Sequence, residues 1–433
     1  MSPRPRATEQ FLLAAKQSET TSLAELADTC EVVTGVSELI HQLQRERGLS
    51  NVYLGSQGQR LSAQREAQIE RSREQETQLR RLLQQRYLES RRHSPSTRVL
   101  TRTALVMQAL DEVDTLRQRI DQQQIDARLS TQAFSRLMAG LLSIVFEAAD
   151  GAGDPSTTRA LLALFNFMQG KEYAGQERAW AAFGFTTSEV NDDSRERLAG
   201  LRFAQQRCFD QFHSFATAEQ QWQWQSIENA EVVAHFNKLR EVIDALSDDD
   251  CVPADLGEVW YDLATQRIDL MHELERDLAN HLLTLSQAQL SRAKQQLRDH
   301  EYQLLSVLSD SQDNYAEPPS LLLDLDAPLV PAGLAVQHDP SSEPAIGRTL
   351  YDLLKAQAEH LRQVSDELCE TREALNERKL LERAKALLMK NLKLSEDDAY
   401  HRIQKRAMDS HMRVAEVCEL LIEAAENAAG TAQ

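Results

Sequence analysis

Three arginines fall where a helical pattern asks for an apolar side chain. Through Val36, Ile40, Leu43, Arg47, Ser50 and Leu54 the spacing alternates between four and three, which sets Arg47 on the stripe facing a bundle interior. Leu263, Arg267, Leu270 and Leu274 repeat the pattern in a later helix, and Leu164, Met168, Gly175, Arg178 and Ala182 form a weaker third case. A buried guanidinium is costly unless compensated, so each position calls for a carboxylate, carbonyls or a bound anion. A guanidinium stays charged at physiological pH and offers a planar fork of donors, a geometry that an ammonium lacks. An internal ion pair is the competing reading for any one of them. Glu46, Glu177 and Asp269 are the nearby carboxylates, and a carboxylate at the same site argues against an anion there. Arg45 competes with Arg47 for the inward position, since residues two apart lie on different sides of a helix.

The elements that hold these arginines are helices. Glycine and proline together make up 26 of 433 residues, well under the usual share of roughly 12%, and Leu, Gln, Arg, Glu and Ala fill long stretches without punctuation. The expected class is all-α. Turn signals fall at Ser56-Gln57-Gly58, Ser94-Pro95-Ser96, Asp150 to Pro155, Asn191 to Ser194 and Ser247 to Gly257, leaving helices enough for two antiparallel four-helix bundles. Gly151 and Gly153 do not make a nucleotide loop, because no strand precedes them; Asp154-Pro155 reads as a helix start. A proline-containing stretch from Ser311 to Arg348 is a linker, and Leu350, Leu354, Leu361, Val364 and Leu368 follow it at near-heptad spacing, interrupted by Gln357. That run reads either as the seam of a homodimer or as an amphipathic helix packed on its own chain.

Near the C-terminus, Leu380, Leu381, Ala384, Leu387 and Leu388 recur at helical spacing, and Ser395 followed by Asp398 supplies the start of another helix. Between Arg372 and Arg413 there are eleven Lys and Arg against seven Asp and Glu, a local charge of +4 in a chain of net charge −19. A local cationic face is enough for nucleic acid, because charge acts over a Debye length of roughly 8 Å. The acidic total is no objection.

Family resemblance now adds to this reading. The runs Leu375-Asn376-Glu377-Arg378-Lys379-Leu380-Leu381-Glu382-Arg383-Ala384-Lys385, Leu394-Ser395-Glu396-Asp397-Asp398-Ala399-Tyr400 and Lys405-Arg406-Ala407-Met408 resemble an ANTAR domain, as three short helices from about Ala374 to Glu423. ANTAR domains bind paired RNA hairpins and prevent transcription termination. Arg378, Lys385, Lys405, Arg406 and Arg413 match or adjoin the family's recurrent basic positions and are the expected RNA contacts; Gln404 departs from a commonly basic site. Gln44-Arg45-Glu46-Arg47-Gly48-Leu49-Ser50, Gly175-Gln176-Glu177-Arg178 and Thr265-Gln266-Arg267-Ile268-Asp269 resemble the NIT domain, a nitrate- and nitrite-sensing module of two four-helix bundles, over roughly Val33 to Leu285. The resemblance implies nitrate or nitrite held by Arg47, Arg267 and Arg178. An anion between Arg47 and Arg267 on facing helices would draw the bundles together.

The resulting partition is an N-terminal extension at 1–32, a sensor at 33–305, a linker at 306–346, a connecting helix at 347–372, an RNA-binding unit at 373–427 and a tail at 428–433. The expected function is nitrate- or nitrite-responsive antitermination, in which the liganded sensor frees the RNA-binding unit to engage leader-RNA hairpins and so act on the transcription complex. Two alternatives stand beside it: a ligand-controlled protein-interaction scaffold, and an antiterminator sensing another small planar anion. No catalytic residues, cofactor or metal are expected, since His272-Glu273 lacks the second histidine of a zinc motif, with Arg276 in its place. Scattered Cys30, Cys208, Cys251, Cys369 and Cys418 fit a reduced cytoplasm, and neither a signal peptide nor a membrane-spanning run is apparent.

Overall fold

A computed structural model describes residues 7–89, 95–187, 192–245, 254–310, 350–392, 396–410 and 412–430. The described residues form helices, with no strand among them. The sensor is built from α1 (Ala7–Gly55), α2 (Ser62–Gln84), α3 (Thr97–Asp111), α4 (Val113–Asp121), α5 (Ala127–Gly151), α6 (Pro155–Thr187), α7 (Asp192–Phe215), α8 (Ala218–Glu228), α9 (Glu231–Ala245) and α10 (Ala254–Asp310). The C-terminal end adds α11 (Leu350–Leu392), α12 (Glu396–Ser410) and α13 (Val414–Gly430).

Local chemistry sets the breaks. The first turn closes with Gln57 and Gly58 at positive φ, 54° and 83°. Ser96 caps α3 by accepting from the Val99 N–H at 3.3 Å, and Asp154 accepts from the Thr157 N–H at 2.8 Å where α6 begins at Pro155. Each satisfies a backbone donor that a helix start leaves orphaned. The Gln122 to Ile125 turn carries no glycine or proline; Gln123 adopts φ 54° and Asp126 caps α5 through the Leu129 N–H.

α1 packs on α2, α5 and α10, with α3 laid on α5; α6 packs on α7 and α10, which also carries α8 and α9. This grouping is compatible with two bundles of four. They share one core, because α1 also crosses α6 and α5 packs on α6, and the buried cluster runs through all four of α1, α5, α6 and α10. By length and composition alone α5 qualifies as a membrane-crossing helix. Its Phe134, Met138, Leu141 and Val145 are instead buried in this core.

α11 differs from the expectation of a short first helix in the RNA-binding unit. It runs unbroken for 43 residues, joining the connecting segment to that unit, because no glycine or proline interrupts Leu350 to Leu392. Gln357 and Leu368 are buried while Leu361 is exposed, so the near-heptad run is turned partly toward its own chain. Ala384, Ile403, Ala407, Val417, Cys418 and Ile422 form a small separate core, flanked by Leu380, Leu381, Leu387 and Leu388. The expected linker from Ser311, the helix start at Ser395 and the last three residues lie outside the described residues, as do the side chains of Arg378 and Gln404.

Candidate anion site

The α1 stripe is buried along its length, from Val36 to Leu54, and Arg47 is 0% exposed. Its guanidinium meets Glu172 of α6, with Nη1 donating to Oε1 at 2.5 Å and Nη2 to Oε2 at 3.3 Å, and Nη1 also donates to Ser135 Oγ of α5 at 2.9 Å. Glu172 accepts further from Gln44 Nε2 and Gln176 Nε2, each at 2.9 Å. Sequence reasoning named Glu46, Glu177 and Asp269 as partners and missed this carboxylate. Glu172 stands three residues before Gly175, one helical turn away on the same face of α6.

Arg178 lies at the same crossing, and among the described residues no carboxylate accepts a hydrogen bond from it. Nη1 donates to Thr265 Oγ1 and Nη2 to the Gln44 carbonyl, both at 3.0 Å; the ring of Tyr261 lies 5.1 Å from its guanidinium carbon; Nε has no partner. Burial first, and then the Arg47 and Arg45 charges, hold Arg178 below the ordinary guanidinium range, while Tyr261 and Asp269 oppose them.

Two glycines make the approach reciprocal. A Cβ on Gly48 would lie 2.7 Å from Arg178 Nη2 and 2.8 Å from the Tyr261 hydroxyl, and one on Gly175 would lie 2.5 Å from Arg47 Nη2. Each arginine thus crosses onto the glycine beside the other, where any larger residue would push it away. Two guanidiniums and one carboxylate leave a buried excess of one positive charge.

Arg267 does not join them. It stands two residues past Thr265, so it leaves α10 on another face. Nη1 donates to Gln205 Oε1 at 3.1 Å, and its guanidinium lies over Phe236 at 5.4 Å. It borders a cavity of about 150 Å³, shared with Arg202, Gln205, Asn237, Arg240 and Glu228. Glu177 is the local counter-charge, gripped by Arg202 Nε at 2.9 Å and by Arg240 Nε at 2.9 Å. Arg267 itself is brought down to about 9, by burial and then by the Arg240 charge.

At the other end, Lys405, Arg406 and Arg413 are exposed, and Arg413 pairs with Glu416 at 3.0 Å. Lys385 is 1% exposed. The unit leans on the sensor: α11 packs against α6, and Lys379 pairs with Asp150. Tyr400 of α12 lies 5.6 Å from the Phe203 ring and 4.3 Å from the Arg207 guanidinium on α7. Tyr400 also closes one side of a groove of about 460 Å³ whose other walls include Ser135, Gln176 and Tyr173. Among the described residues no group of three or more His, Cys, Asp or Glu is placed to hold a metal.

A helical chain with buried, under-compensated guanidiniums at one end and a small cation-bearing unit leaning on it at the other is a two-part regulator in design. Residues 38–283 match the family described as nitrate and nitrite sensing, NIT, and residues 369–422 match the ANTAR domain. The nitrate regulatory protein of Klebsiella oxytoca is 32% identical over 411 residues, covering 94% of this chain and 93% of that one. A solved structure of the NasR transcription antiterminator is similar with a TM-score of 0.59 and 30% identity, over 96% of this chain and 98% of that one. The chain belongs to the NIT family of nitrate and nitrite sensors and carries an ANTAR domain at its C-terminal end.

Proposed function

We propose that this protein is a nitrate-responsive antitermination regulator whose ligand site is the Arg47 and Arg178 crossing. Nitrate or nitrite enters between α1 and α6 and shares both guanidiniums. The observation that carries this reading is Arg178, buried near a second arginine, whose acceptors among the described residues are neutral. A flat monoanion accepts from two guanidinium forks at once, which Thr265 and the Gln44 carbonyl do not match in charge. Arg267 faces the neighbouring cavity and belongs to the same sensor through α10, whose Thr265 touches Arg178.

The output is RNA binding by the ANTAR domain. Lys405, Arg406 and Arg413 are exposed for phosphates, Arg378 is assigned with them by its place in the motif, and Lys385 is covered in this arrangement. Ligand binding shifts the α1 and α6 packing, loosens the hold of α7 on Tyr400 and frees the unit that carries these exposed cations to engage paired hairpins in leader RNA. An allosteric coupling of about 1–3 kcal/mol changes affinity by roughly 5–150-fold, within reach of one such interface. The family pairing supports a non-enzymatic role in the cytoplasm.

Calorimetric titration with nitrate, against chloride and formate, tests the site on the intact chain and on Arg47→Ala, Arg178→Ala and Arg267→Ala. Selective, saturable nitrate binding lost in the first two variants is the expected result. Arg47→Ala is expected to keep basal RNA binding and lose its stimulation by nitrate; full stimulation in that variant rejects the assignment.

A further inference from the structure

Glu172 occupies the place of a ligand. Its carboxylate is a planar monoanion that accepts from both Nη atoms of Arg47, from Gln44 Nε2 and from Gln176 Nε2, a ring of four donor contacts on two oxygens. Nitrate is likewise a planar monoanion that takes a guanidinium fork edge-on. The donor set that would read nitrate at Arg47 is already filled by a group of the same charge and shape, from the chain itself.

We propose that Glu172 is an internal counter-ligand that nitrate displaces, so that its carboxylate sets the anion threshold of the sensor. The proposal rests on the Arg47 and Arg178 assignment above. Three features of the site favour displacement over a permanent ion pair. The crossing carries a second guanidinium, Arg178, so an incoming anion gains a partner that Glu172 does not have. Gln176, which donates to the Oε1 of the buried Glu172, also lines the open groove between α5, α6 and α7, so one side chain separates that carboxylate from the groove. Ser135, which accepts from Arg47, lines the same groove. A carboxylate released from Arg47 can therefore turn toward water without crossing the apolar core. Arg117 shows the contrasting design, because Glu46, Glu76 and Asp114 all accept from it and enclose it in carboxylates.

A competitor that fills the site most of the time lowers apparent affinity by the fraction of time the site is left open, so a site about nine-tenths filled binds about tenfold more weakly than an open one. The test is calorimetric nitrate titration of the full chain as wild type, Glu172→Gln and Glu172→Asp. Glutamine keeps the shape and removes the charge, and is expected to tighten nitrate binding by about tenfold or more. Aspartate keeps the charge but draws it one methylene back from Arg47, and is expected to tighten binding by a smaller factor. If Glu172→Gln does not fold without an anion, recovery of helical circular dichroism in nitrate but not in chloride supports the same conclusion, and the aspartate variant decides the affinity. Folded variants that bind nitrate no better than wild type overturn the counter-ligand. Absence of nitrate binding in all three chains rejects the underlying site assignment instead.

Discussion

Arg117 and Arg178 are both 2% exposed, both lie inside the sensor, and are held in opposite ways. Arg117 donates to Glu46 at 2.8 and 2.9 Å, to Glu76 at 2.5 Å and to Asp114 at 3.1 Å, and these partners outweigh burial to hold it above the ordinary guanidinium range. Arg178 meets a hydroxyl, a carbonyl and an aromatic face, and burial prevails. Burial alone therefore does not mark an anion site. The balance of charge around the buried group does, because a guanidinium already enclosed by carboxylates has nothing to gain from a further anion.

The strongest test of this contrast is mutational. Arg117→Ala strands Glu46 and Glu76 and is expected to cost about 3–5 kcal/mol in urea denaturation, whereas Arg178→Met removes an uncompensated charge and is expected to cost less than about 1 kcal/mol. Equal losses at both positions would erase the distinction. Ligand linkage sharpens it: nitrate at about 100 times its Kd should stabilise the wild-type chain by about 2.7 kcal/mol and leave Arg178→Met unmoved, measured as the shift in denaturation midpoint.

A third element near the crossing responds to protons. His41 and His272 stack face to face with ring centroids 3.4 Å apart, beside the buried Lys171 and Glu275 pair. Burial and then the Lys171 charge push both imidazoles below the usual histidine value of 6.5, with His272 at about 3; His272, Arg45 and Arg178 also press on His41, and Arg276 and Arg45 on His272. The folded chain thus binds these protons later than the unfolded chain. Stability from the neutral pair is complete above pH 6.5 and is lost as pH falls toward 3. The slope approaches about 1.4 kcal/mol per pH unit for His41 and is smaller for the partly exposed His272, where solvent screens the charge. Urea midpoints between pH 7 and pH 5 should fall for wild type and flatten in His41→Phe.

The smallest expected effect concerns the two ends of the molecule. A cation–π contact at the surface contributes about 0.5–1 kcal/mol, so Tyr400→Ala should raise basal RNA binding and, by reciprocal linkage, nitrate affinity, each by at most roughly two- to fivefold. Gel-shift titration with a hairpin RNA checks the first part and calorimetry the second.

Spacing made much of this legible. The four-and-three pattern places Arg47 inside, since a helix of fixed pitch puts Val36, Ile40, Leu43 and Arg47 on one face, and all four are buried. The same rule found the C-terminal core at Leu380, Ala384 and Leu387. It was weaker for Arg267, whose buried neighbours are Trp260, Ala264, Ile268 and Met271 while Leu263 and Leu270 are only partly covered. Glu172 escaped notice because an acidic residue in an acidic helical sequence carries no local mark.

Composition, periodicity and motif spacing determined an all-helical chain, the inward arginines on α1 and α6, and a cationic unit at the C-terminal end, because each depends on residues close together along one helix. Only tertiary structure decided which groups meet: that Arg47 pairs with Glu172 across 125 positions, that Arg178 donates to a hydroxyl and a carbonyl, that Arg267 faces a separate cavity, and that Tyr400 rests on α7. Pairings of that kind depend on how one helix crosses another, and helical pitch within a single segment carries no information about its partner.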